Sequence, residues 1–263
     1  MSVVPSRIAN APESAGRKPL LFVYGDSMSM PRHPDGVEPQ DTMAELMAAH
    51  YAENGKPILL YNRSDSGKTI RDHWSKYKDD VVLFGVGRSD VLVFQAGVVD
   101  CAPRPLPPRW RRKLERKPAF IRNPVIAFLK NNRPMLLRWG MSFRKVEPDA
   151  FQSGIKEWFA DAVRRFGSIA IFELPPVHTA AEQHSPGWQG SILSYNQMLA
   201  DAVAALNDPR IFIVPLHQWL WSHRDQLDLY ISPADGHHLL KPGHRAAFDL
   251  LRDTLDRRTS RTD

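Results

Sequence analysis

Near its N-terminus the chain reads Gly25-Asp26-Ser27-Met28-Ser29, and near its C-terminus Asp235-Gly236-His237-His238-Leu239-Leu240-Lys241-Pro242-Gly243-His244. A serine hydroxyl is a poor nucleophile until a base takes its proton, and an imidazole serves as that base when a carboxylate orients it. Ser27 offers the hydroxyl. Asp235 and His238, three positions apart, offer the carboxylate and the imidazole from one short segment. Each cluster alone has a plainer explanation, because Asp and Ser favour turns and helix N-caps and a polar loop before a last helix is ordinary surface. His237 and His244 are read in that plain way. A metal site on these histidines is not expected, since the only cysteine, Cys101, is distant in sequence and no H-E-x-x-H spacing occurs. Cys101 reads as a buried free thiol, and Asp100 as a carboxyl bonded to nearby backbone.

These residues need elements to position them. Five apolar runs read as buried strands: Pro19–Gly25, Pro57–Asn62, Val91–Gly97, Ser168–Leu174 and Ile211–Leu216. Continuous apolar strands suit a parallel sheet covered on both faces. Between them, Asp41–Glu53, Phe151–Phe166, Ile192–Leu206 and His244–Leu255 carry apolar residues at helical spacing, with Gly167 as a C-cap. Strand and helix in alternation predict a three-layer α/β/α sandwich with right-handed crossovers. Its ligand site is expected at the carboxyl ends of the strands. Ser27 directly follows the first strand, where a hydroxyl is exposed and a backbone N–H can face a developing anion.

Composition adds limits. Of 263 residues, 43% are hydrophobic and 24% charged, with a net charge of +6, which is usual for a globular domain. No apolar stretch reaches the length of a membrane span, and residues 1–18 lack the apolar core of a signal peptide. With one cysteine no intrachain disulfide is possible, so the reading predicts a cytoplasmic protein. Residues 1–18 and 258–263 are taken as tails and 19–257 as one domain. The charge is uneven: residues 103–145 hold thirteen Lys/Arg and a single acid, Glu115. A basic helical insert at about 103–148 is therefore expected after the third strand, as a lid or cap. Its charge, interleaved with Trp110, Phe120, Phe128, Trp139 and Phe143, suits an anionic substrate, an acidic polysaccharide or a membrane surface with anionic lipid. Nucleic acid ranks last, for want of a recognisable motif.

The two clusters, taken together and in order, resemble the SGNH (GDSL) hydrolase superfamily. Gly25-Asp26-Ser27 matches its nucleophile block, and Asn62-Arg63-Ser64-Asp65-Ser66-Gly67-Lys68-Thr69 its second block, with Gly67 as the glycine. Asp235 and His238, followed by Gly243 and a helix, match its D-x-x-H block, and Ser194-Tyr195-Asn196 is also similar. The resemblance implies a flavodoxin-like sheet of order 2-1-3-4-5. It also implies an oxyanion hole from the N–H groups of Ser27 and Gly67, and ester hydrolysis through an acyl-enzyme without metal or organic cofactor. One block departs. The third strand ends Gly97-Val98-Val99-Asp100, so Val99 stands where the family carries an oxyanion-binding Asn. Three readings follow: Arg104 or an insert residue replaces that donor, the enzyme is slow or selective for activated acyl groups, or turnover has been lost. The segment Gly97–Arg104 further resembles a bacterial subgroup associated with surface-polysaccharide synthesis. An O-acylated glycan or glycan precursor is then the expected substrate. An O-acyltransferase, or a catalytically silent ligand-binding protein, is the alternative.

Overall fold

The strands Leu20–Gly25 (β1) and Val91–Gln95 (β3) are buried at every residue, because uniformly apolar strands are stable only when covered on both faces. In the computed structural model, which describes residues 17–259, they form the middle of a five-stranded parallel sheet. The other strands are Leu59–Asn62 (β2), Ser168–Phe172 (β4) and Ile211–Val214 (β5), and the order is β2-β1-β3-β4-β5. Registry runs Leu21 to Val91 through Gly25 to Gln95 between β1 and β3. The carboxyl ends of these two strands are thereby level. β2 departs from expectation. It is an edge strand with Leu59 46% exposed, since only one neighbour pairs with it.

The helices in chain order are α1 (Met43–Glu53), α2 (Ile70–Leu83), α3 (Val98–Cys101), α4 (Pro108–Glu115), α5 (Ala119–Asn131), α6 (Arg133–Arg138), α7 (Pro148–Arg165), α8 (Thr179–His184), α9 (Trp188–Leu206), α10 (Leu216–Ser222) and α11 (Lys241–Thr259). α2, α7 and α9 pack in succession, while α1 and α10 pack on α11. These groups are the two outer layers that right-handed crossovers require.

Apolar spacing does not mark α2. Its buried face carries His73 and Asp80 beside Ile70, Tyr77 and Val81, so the apolar period is broken by polar residues. The signal that marks it is the capping box Thr69-Ile70-Arg71-Asp72, in which the Thr69 N–H donates to Asp72 Oδ2 at 2.8 Å. Gly167 is not a left-handed C-cap: α7 ends with Phe166 in an extended conformation. Glycine is required there because a Cβ would lie 1.8 Å from the Arg88 carbonyl oxygen.

The basic insert is helical, comprising α4, α5 and α6. It is tied to the sheet end through an antiparallel bridge between Arg104 and Phe143. Residues 1–16 and 260–263 of the expected tails lie outside the described residues. Within the described part, Arg17 pairs with buried Asp90 at 2.6 Å and α11 runs on to Thr259.

Candidate active site

Ser27 opens a 3-10 turn, Ser27–Ser29, directly after β1. As the first residue of that turn its N–H has no acceptor within the helix. Asp26 caps the turn: one carboxylate oxygen accepts from the Met28 N–H at 3.0 Å and the other from the Val98 N–H at 3.2 Å. Asp26 therefore locks the end of β1 to the start of α3. Burial raises its pKa, while the N–H groups of Met28 and Val98 and the nearby His238 work against that rise.

His238 reaches Ser27 from the far end of the chain. Its Nε2 lies 2.8 Å from Ser27 Oγ and its Nδ1 2.8 Å from Asp235 Oδ2. The other Asp235 oxygen accepts from the N–H groups of His237 and His238 at 3.1 and 3.2 Å, so one carboxylate fixes both the loop backbone and the ring. Burial pushes the Asp235 carboxyl upward. The bond from His238, then His237 and its N–H, outweigh burial and hold the carboxyl well below the usual range. An ionised Asp235 puts the proton on Nδ1 and leaves Nε2 to accept from the serine hydroxyl.

A further residue, Arg32, meets this pair. Its Nη1 lies 2.6 Å from Asp235 Oδ2 and against His238 Nδ1, and its Nε 2.8 Å from Asp35 Oδ2. Ser232 Oγ donates to Asp35 at 3.2 Å. The segment after the first block and the Asp-His loop are thus bolted together. Nothing in the spacing of Arg32 marks it, because His238 and Asp235 are 206 and 203 positions away.

A cavity of about 610 Å³ opens beside Ser27. Val98, Val99, Ala102 and Arg104 form one wall, and Asp235 and His237 another. Lys130 and Arg133 of the insert and His184 of α8 also face it. Val99 is half-buried and puts an isopropyl group on the cavity wall. Gly67 is not among the residues lining this cavity. It occupies a left-handed turn (φ +70°), a conformation that favours glycine, and its carbonyl accepts from Lys145 Nζ at 2.6 Å. Its loop nevertheless passes the end of β1, since the Asp65 N–H donates to the Gly25 carbonyl at 3.0 Å.

The remaining polar residues have structural partners. Asp100 accepts from the Ile70 N–H with both oxygens at 3.2 Å, and burial pushes its carboxyl up to about 8. Cys101 is buried and its thiol pKa is pushed up by desolvation. His244 accepts from the Met43 N–H at 3.4 Å. Asn196 pairs with both backbone groups of Leu174 at 2.7 and 3.0 Å. Asp235, His237 and His238 place possible metal-ligand atoms within 4.8 Å of one another. The Arg32 guanidinium already occupies Asp235 Oδ2, and its positive charge disfavours a cation there.

No family model and no curated protein sequence matches the chain. Solved structures do. A lipase/acylhydrolase from Enterococcus faecalis superposes with a TM-score of 0.61 at 15% identity, over 91% of this chain and 96% of that one. A member of the lipolytic G-D-S-L family from Veillonella parvula gives 0.58 at 11%, over 90% and 98%. An acetylxylan esterase from Geobacillus stearothermophilus gives 0.58 at 14%, over 90% and 93%. The chain has the fold of these G-D-S-L hydrolases across nearly its whole described length.

Proposed function

We propose that this chain, which carries the SGNH hydrolase fold, is a serine esterase acting on an O-acylated carbohydrate. The observation that carries the reading is the unbroken series Ser27 Oγ, His238 Nε2, His238 Nδ1 and Asp235 Oδ2, with 2.8 Å at each hydrogen bond. His238 takes the Ser27 proton as Oγ attacks the ester carbonyl carbon. The carbonyl oxygen becomes an oxyanion, for which the Ser27 N–H, with no acceptor inside its turn, is the donor; Gly67, the second donor that the resemblance implies, is not among the residues lining the cavity. Collapse expels the alcohol, which receives its proton from His238, and leaves Ser27 acylated. Water, deprotonated by His238, then attacks the acyl carbon. The acid departs and Ser27 regains its hydrogen. Asp235 holds the ring and balances the imidazolium formed in each step. No step needs a metal or an organic cofactor.

The carbohydrate part of this reading is supported by the likeness to an acetylxylan esterase and by a cavity lined with both apolar and basic side chains. The test is intact-mass analysis after treatment with a fluorophosphonate. One phosphonyl adduct on the wild type, mapped to Ser27 and absent in Ser27→Ala, is the expected result. A folded wild type that takes up no adduct and hydrolyses no acetyl ester would overturn the assignment.

A further inference from the structure

The cavity beside Ser27 holds positive charge that the described residues do not neutralise. Arg104 and Arg133 both line it, and each has its Nε buried without a hydrogen-bond partner. Arg104 is fixed at its backbone, donating to and accepting from Phe143 at 2.8 and 2.9 Å. Arg133 is fixed at its side chain, with Nη2 donating to the Pro103 carbonyl at 2.6 Å. Neither arginine forms an ion pair among the described residues, whereas Arg111, also in the insert, is paired with Glu115 at 3.0 Å. Lys130 joins them on the cavity wall.

The carboxyls nearby do not offset this charge. Asp235, the one carboxylate on the cavity wall, is already shared by Arg32 and His238. Asp100, whose field reaches Arg104, is buried and has both oxygens engaged by the Ile70 N–H, and burial pushes its carboxyl up to about 8, which weakens any charge it offers the arginines. Desolvation, with repulsion from Arg111 and Arg133, brings Arg104 down to about 10. It remains a cation at neutral pH. A guanidinium N–H taken out of water without an acceptor, as Nε is in both arginines, is costly. Where two such groups converge on a reaction cavity, a ligand that brings an oxyanion removes the cost. The planar fork of arginine suits carboxylate, sulfate and phosphate alike.

We propose that Arg104 and Arg133, with Lys130, form an anion subsite, and that the substrate is an ester of an acidic carbohydrate whose negative group sits there. This rests on Ser27 being the nucleophile in the same cavity. Steady-state kinetics on matched acetyl esters test it: an acetylated methyl glucuronoside, its C6 carboxamide, and an acetylated glucose 6-phosphate beside its 6-hydroxyl form. At low salt the anionic member of at least one pair is expected to have a kcat/KM higher by about tenfold or more. That ratio should shrink as sodium chloride is raised, and Arg104→Gln and Arg133→Gln should each bring it toward one. The pair with the larger ratio identifies the anion. Ratios of one in both pairs, or a preference that neither arginine substitution nor salt reduces, overturn the subsite. Failure of the nucleophile assignment reads out separately, as absence of fluorophosphonate labelling. The subsite is then decided by calorimetric titration of Ser27→Ala with the same pairs. Tighter binding of an anionic form supports it, and equal or undetectable binding of both overturns it.

Discussion

Val99→Asn should raise the ester turnover proposed for this chain. Val99 is the second residue of α3 and lines the cavity with Ser27. Asp26 Oδ2 accepts from the Val98 N–H at 3.2 Å while Oδ1 accepts from the Met28 N–H at 3.0 Å. Position 99 is therefore held in a fixed relation to the nucleophile, and a side-chain amide there starts from a preorganised backbone. One oxyanion donor in a comparable hole is worth about 2.7–4 kcal/mol, or roughly 10²–10³ in kcat. Part of this is lost because the amide needs partners of its own in the ground state. Losing the isopropyl burial costs stability rather than rate, and at a half-buried site it amounts to less than the roughly 1.5–3 kcal/mol of a fully buried side chain. A gain of about tenfold in kcat, with little change in KM, is the expected result, since the donor acts on the transition state more than on bound ester. The assay is hydrolysis of an aryl acetate and of an acetylated sugar. Val99→Leu serves as an apolar control, and circular dichroism and fluorophosphonate uptake confirm folding and a reactive Ser27. If Val99→Asn folds, labels like the wild type and shows a kcat within about twofold of it, the reasoning that the hole lacks a side-chain donor is wrong.

Ser27→Ala and His238→Ala should each abolish ester turnover, and the double variant should be no worse than either single. Independent, additive losses in kcat would contradict a hydrogen-bonded unit. Arg32→Met removes the second partner of Asp235 Oδ2, 2.6 Å away at a partly exposed site. An exposed pair of this kind is worth up to about 1 kcal/mol, so kcat should fall by up to about fivefold, and an unchanged kcat would reduce Arg32 to a loop tether. Burial pulls His73, His237 and His244 down to about 4, below the value of about 6.5 for a free imidazole. The unfolded chain thus binds more protons between these values. The stability these groups contribute is present above about pH 6.5 and is lost as pH falls toward 4. Urea midpoints should drop across that interval. His73→Leu should lessen the drop, because neither ring nitrogen of His73 has a partner; an equally steep drop in this variant would assign it to other groups.

The features that local chemistry dictates are legible in the amino-acid order. The uniformly apolar runs declare the strands, the inner ones because only a doubly covered sheet accepts them and β2 as a half-exposed edge, and four of the helices follow from apolar spacing. The G-D-S and D-x-x-H blocks bring Ser27, Asp235 and His238 into view through their joint resemblance to the SGNH hydrolase pattern, since either cluster alone also reads as a turn or a polar surface loop. The insert is visible as a surplus of charge. The tertiary structure decided what depends on groups meeting from distant positions. α2 was hidden because its inward face carries His73 and Asp80, whose burial is settled by partners such as Tyr24 and Arg63 on other elements. Arg32 gains its place only when the chain closes over 206 positions to His238. The surplus of charge in the insert gave no hint that Arg104 and Arg133 would turn into the Ser27 cavity while most of the other basic residues face solvent. A pattern of residues fixes which groups are available and which faces they prefer. Convergence on a point is set by the packing of whole elements, and that information is spread over every contact in the core.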